Sequence, residues 1–167
     1  SDLSTEYEKM ARWRGPHESG EFHSAKARLA VMEAEDTWLS VNYPTLFLRW
    51  PVAADPRLNQ GLTRAYNNWV ADISNQCPER LKWVTVIDAH DPLEAVREME
   101  RTLEMGSVGV MVLGDYSTKS LDHPDFEPIW RCANEIGMPI NVHPGMGALD
   151  AARAFPSVAG DQFLMSV

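Results

Sequence analysis

Four short apolar runs, each led into by a segment of helix-forming composition, restrict this chain more than any other feature. The runs are "TWLSVNYPT" from Thr37, "LKWVTVIDA" from Leu81, "SVGVMVLG" from Ser107 and "PINVH" from Pro139. They are rich in β-branched and aromatic residues and are cut off by proline, glycine or aspartate, as strands are. The segments before them are "SAKARLAVMEAE", "PRLNQGLTRAYNNWVADISNQ", "DPLEAVREMERTLEMG" and "DFEPIWRCANEIG". Alternation of this kind predicts parallel pairing, because each helix carries the chain back across a sheet face to start the next strand. The fold class is α/β.

The helix ends are marked in the sequence. Ser24 is placed to cap the first helix. Asp91 can cap the third, with Pro92 at its first position and Glu94 at its third, so that capping oxygens meet amides no earlier turn satisfies. Gly106 and Gly137 fit C-terminal stops. Helical spacing predicts buried stripes of Leu58, Leu62, Ala65, Tyr66, Trp69 and Ile73 on the second helix. On the third it predicts Leu93, Val96, Met99 and Leu103, and on the fourth Phe126, Ile129, Trp130, Ala133 and Ile136. Residues 1–23 read as a polar loop, 24–147 as βα repeats of one domain, and 148–167 as a loop with a short helix.

Composition narrows the partners. With 15 basic and 24 acidic residues the net charge is −9, which disfavours nucleic acid and anionic membrane surfaces. No apolar run approaches the roughly 20 residues needed to span a bilayer, and the start of the chain shows no secretion signal. Cys77 and Cys132 match no metal or redox spacing, so a reducing, cytoplasmic setting is expected.

In parallel sheets, open or closed, binding groups gather at the C-terminal ends of the strands. Here those ends carry Asn42, Tyr43, Thr45, Asp88, His90, Asp91, Asp115, His123 and His143. Alternation puts Asn141 and His143 on one side of the last strand and Ile140 and Val142 on the other. A polar pair facing a barrel interior needs partners there, which a ligand or metal would supply. Taken alone, His143 is either a structural residue with a satisfied hydrogen bond or a site residue. His123, before Pro124, either caps the following helix or lines the rim. His17, His23 and His90 read as surface, and Cys132 lies off its helix's apolar stripe. Gly145 and Gly147 do not make a dinucleotide loop, because the position for a third small residue holds Asp150.

The segments "VNYPT", "RAYNNWVADISNQCPERLKWVTVIDAHDPLEAVREMER", "VGVMVLG" and "LDHPDFEPIWRCANEIGMPINVHPG" together resemble the amidohydrolase-related family of metal-dependent (β/α)₈ barrels, of the aminocarboxymuconate-semialdehyde decarboxylase type. The resemblance implies a TIM-barrel architecture of which this chain holds strands two to five. It implies a divalent metal, commonly zinc, at the C-terminal mouth, held by a His-x-His pair from strand one, a histidine ending strand five and an aspartate from strand eight. A histidine from strand six would serve acid–base chemistry.

His143 matches the strand-five ligand. Tyr43, Thr45, Asp88, His123 and Asn141 become substrate-side candidates. The implied activity is hydrolysis or non-oxidative decarboxylation of a small, carboxylated cyclic or aromatic compound, with a homodimer within the family's habit. There is no His-x-His in the sequence, and a full barrel takes about 250 residues. The expectation is therefore a segment of a larger barrel, and its rival is a truncated, non-catalytic barrel kept for binding or assembly.

Overall fold

The structure is a computed structural model that describes residues 24–44, 55–114, 119 and 121–143. Helix α1 (Ala25–Ala34) leads into strand β1 (Ser40–Asn42), and α2 (Pro56–Ser74) into β2 (Leu81–Trp83) and β3 (Thr85–Val86). Helix α3 (Pro92–Glu104) leads into β4 (Val110–Leu113), and a 3₁₀ turn (Pro124–Phe126) with α4 (Glu127–Ile136) into β5 (Ile140–His143). The caps form as their residue types require. Ser24 Oγ accepts from the Ala27 amide at 3.1 Å, Asp91 Oδ1 from the Glu94 amide at 3.1 Å, and Gly137 closes α4 at φ 66°.

Among the described residues the strand pairs are parallel: β1 with β2, β3 with β4 and β4 with β5. Only Val84 separates β2 from β3, and its amide donates to the Asn42 carbonyl at 3.2 Å. The run from Leu81 to Val86 is therefore one strand in effect, with β1 on one edge and β4 on the other. The spatial order matches the chain order, as in a sector of a (β/α)₈ barrel.

Register assigns the two faces. Trp83 packs with Val70 and Ala71 of α2, and Val110 and Val112 pack with Met99 of α3 and Ile129 of α4. This is the helix-covered face, and each such fully buried aliphatic side chain contributes about 1.5–3 kcal/mol. On the opposite face Val84, Val86 and Met111 form their own buried cluster. Tyr43 and Asn141 belong to this inner face by alternation.

The expected stripe on α4 packs on the core throughout, as do Tyr66 and Ile73 on α2, but the rest of the α2 stripe and part of the α3 stripe need correction. On α2 the buried residues are Asn59, Thr63, Asn67, Val70, Ala71 and Ser74, whereas Leu58 is 52% and Trp69 42% exposed. The helix turns its small polar face to the sheet because that face carries the hydrogen-bonding groups described below. On α3, Leu93 and Leu103 are exposed, while Ala95, Glu98, Met99 and Thr102 are buried. Thr85 of β3 explains part of this face: its hydroxyl bonds both Thr102 Oγ1 and Ser107 Oγ, at 2.6 and 2.8 Å. Cys132 is buried in the α4 core rather than set off from it. The readings made for residues 1–23, Thr45, Asp115 and 144–167 lie outside the described residues.

Candidate site at the strand ends

Two side chains, from the residue after β1 and from the second residue of β5, meet across the inner face. The Tyr43 phenol, one residue past β1, donates to Asn141 Oδ1 at 2.7 Å. Two strand positions lie between their strands, so in a flat sheet the pair would stand about 14 Å apart at the usual 4.7–4.9 Å spacing. The long phenol and the carboxamide span part of that gap, and the curl of the sheet toward a barrel wall closes the rest.

Asn141 is held from below. Its Nδ2 donates to the Val110 carbonyl at 3.3 Å and to the Pro139 carbonyl at 3.4 Å. Gly109 makes room for it: a Cβ there would stand 2.7 Å from Asn141 Nδ2 and 3.0 Å from the Pro139 carbonyl oxygen. Sequence reading missed Gly109. Its one signal is a glycine inside an otherwise apolar strand run, which points to a close approach.

His143 ends β5, half-buried, two residues beyond Asn141. Its backbone is fixed by the Gly114 amide, which donates to the His143 carbonyl at 2.8 Å. Alternation gives the imidazole the same strand face as Asn141, about 7 Å further toward the mouth at 3.3 Å per residue. Among the described residues no three His, Cys, Asp or Glu side chains gather closely enough to hold a metal ion. Catalytic zinc takes three protein ligands, so the described residues do not by themselves make up a catalytic metal site.

Asp88 and His123 are placed differently from Tyr43 and Asn141. Asp88 is 7% exposed, and its Oδ1 accepts from the His90 backbone amide at 3.0 Å and pairs with His90 Nδ1 at 2.9 Å. Burial pushes its carboxyl up, but the His90 ring and amide together with Asn59 outweigh burial and hold it below the usual carboxylate value. His123 caps the 3₁₀ turn, its Nδ1 accepting from the Asp125 amide at 3.2 Å, and its ring stands edge-on to Phe126. Thr45 lies outside the described residues. No helix among the described residues is long and apolar enough to cross a membrane.

The amidohydrolase family pattern matches residues 44–163. The chain is 32% identical to the decarboxylase orsB of Emericella nidulans over 76 residues, 45% of this chain and 22% of that one. It is 30% identical to the γ-resorcylate decarboxylase of Polaromonas sp. over 113 residues, 64% of this chain and 33% of that one. Among solved structures it superposes on the 5-carboxyvanillate decarboxylase of Novosphingobium aromaticivorans with a TM-score of 0.66 and 26% identity, covering 71% of this chain and 34% of that one. That enzyme was solved with manganese and 4-hydroxy-3-methoxy-5-nitrobenzoic acid. The chain thus spans a third or less of the length of these two curated relatives.

Proposed function

Because the chain belongs to the amidohydrolase family, we propose that it forms the second-to-fifth-strand sector of a metal-dependent decarboxylase acting on a small aromatic carboxylate. The observation that carries this reading is His143 at the C-terminal end of β5, on the strand face it shares with Asn141. That is where a (β/α)₈ barrel keeps its chemistry, and the relatives described above are decarboxylases.

In this reading His143 supplies one ligand to a divalent cation, and the remaining ligands come from outside the described residues. The resemblance implies zinc, and the solved neighbour holds manganese. Imidazole suits zinc and carboxylate suits manganese, so the remaining ligands decide between them. The chain's own part is to bind and orient. Val84, Val86 and Met111 give the inner face a dry, apolar floor, while Tyr43 and Asn141 provide polar contacts above it.

The test, made on the full-length protein that contains this sector, is metal content by mass spectrometry together with carbon dioxide release from γ-resorcylate and from 5-carboxyvanillate, after loading with manganese or zinc. The expected result is stoichiometric metal and release from at least one compound, both lost in His143→Ala with the circular dichroism unchanged. Wild-type metal content in that variant would remove His143 from the ligand set. No release from either compound with either metal would overturn the decarboxylase reading. Absence of stoichiometric metal in the wild type would favour a sector kept for binding or assembly.

A further inference from the structure

The hydrogen-bond inventory around Asn141 fixes the direction of every bond in the cluster. A carboxamide has two donors on nitrogen and an acceptor oxygen. Here Nδ2 faces two carbonyls, those of Val110 and Pro139, at 3.3 and 3.4 Å. Neither carbonyl can donate, so the amide cannot be turned over without setting oxygen against oxygen twice. Oδ1 therefore faces Tyr43, and at 2.7 Å the phenol must be the donor. The hydroxyl proton is thereby committed, and the phenol oxygen offers only lone pairs to whatever approaches it.

Gly109 protects this arrangement, since any side chain there would displace the amide nitrogen. Tyr43 is half exposed and so remains accessible. The trio is built like a recognition element: Tyr43 is open to an approaching group, and two others, Asn141 and Gly109, set its hydrogen-bonding polarity.

We propose that Tyr43 is a specificity-determining residue that accepts a hydrogen bond from a donor on a small ring ligand, in the first instance a ring hydroxyl, with Asn141 and Gly109 as its positioning residues. A carboxylate or an ether oxygen at this point would bring lone pairs against lone pairs and is disfavoured. A polar site that expects a donor discriminates strongly against an analogue lacking one, because its own group is then left unpaired. The inference rests on the reading that this rim receives the ligand, but it does not depend on decarboxylation.

The test is direct binding to the full chain, followed by chemical-shift titration, with resorcinol and with its ether, 1,3-dimethoxybenzene. The expected result is that resorcinol binds at least tenfold more tightly than the ether. Tyr43→Phe, at a half-exposed position, should bring resorcinol to the ether's affinity and leave the ether unchanged. Gly109→Ala should do the same through Asn141, with Tyr43 itself intact. Equal binding of the two probes by the wild type would overturn the proposal without any variant, as would undetectable resorcinol binding. An unaltered preference in Tyr43→Phe would overturn it too. Carbon dioxide release is scored separately, so loss of the decarboxylase reading and loss of this one are distinguishable.

Discussion

Asn67 of α2 holds both backbone groups of Val86 in β3: its Nδ2 donates to the Val86 carbonyl at 2.9 Å, and its Oδ1 accepts from the Val86 amide at 3.0 Å. The side chain does there what a neighbouring strand does elsewhere. The β1 ladder has ended at Asn42, opposite Trp83, and the edge of Val86 on that side would otherwise be buried with its polar groups unpaired. The same Nδ2 also donates to Glu98 Oε1 at 2.8 Å. Glu98, itself buried, is paired with Arg101 at 2.6 Å and Arg64 at 3.4 Å.

Replacing Asn67 with leucine keeps the volume but orphans an amide, a carbonyl and part of a buried carboxylate. Each buried neutral group left unpaired costs about 1–3 kcal/mol, so Asn67→Leu is expected to lose about 3 kcal/mol or more. Urea unfolding should show a lower midpoint at an unchanged slope. A loss under about 1 kcal/mol would show that α2 is held by its apolar contacts instead.

This bond also explains which parts of the fold can be read from the chain. The caps at Ser24, Asp91 and Gly137 are legible because a cap is decided within one turn. The buried face of α2 is not, because Asn67 finds its partners 19 and 31 residues away, while Leu58, Leu62 and Trp69 offer an apolar stripe that stays partly exposed. At the rim, strand alternation alone places Asn141 and His143 on one face. Gly109 escapes notice because its role is the absence of a side chain beneath Asn141, far along the chain on β5.

Thr63, also on the sheet-facing side of α2, is 3% exposed, and its hydroxyl makes no hydrogen bond to any described residue. A buried hydroxyl without a partner costs free energy that an apolar group of the same shape does not. Thr63→Val is therefore expected to be neutral or stabilising by up to about 1 kcal/mol, read as an unchanged or higher melting temperature. A clear loss of stability would mean that the hydroxyl has a partner in solution.

Asp88 sets part of the acid limit of stability. Its folded carboxyl sits below its ordinary value, so the folded state binds fewer protons there than the unfolded chain. Its stabilisation is complete above the unfolded value near 3.9 and is lost as pH falls through the lower folded value. Thermal melts from about pH 6 downward should show the wild type losing stability more steeply in the acid range than Asp88→Asn, with the variant the less stable of the two at neutral pH. Parallel curves would assign the acid limit to other carboxylates.

The Tyr43–Asn141 contact closes a span of 98 residues, and its place in time follows from that length. Contacts so distant in sequence form only after the intervening loops have been closed, and parallel β-pairing is slow for the same reason. No partly folded species that lacks β4 or β5 can hold the phenol in place. This part of the rim is thus expected to form late, after α2, α3 and the middle strands have found one another. During folding the chain presents no organised acceptor to a ligand, and recognition begins only when the sheet is finished.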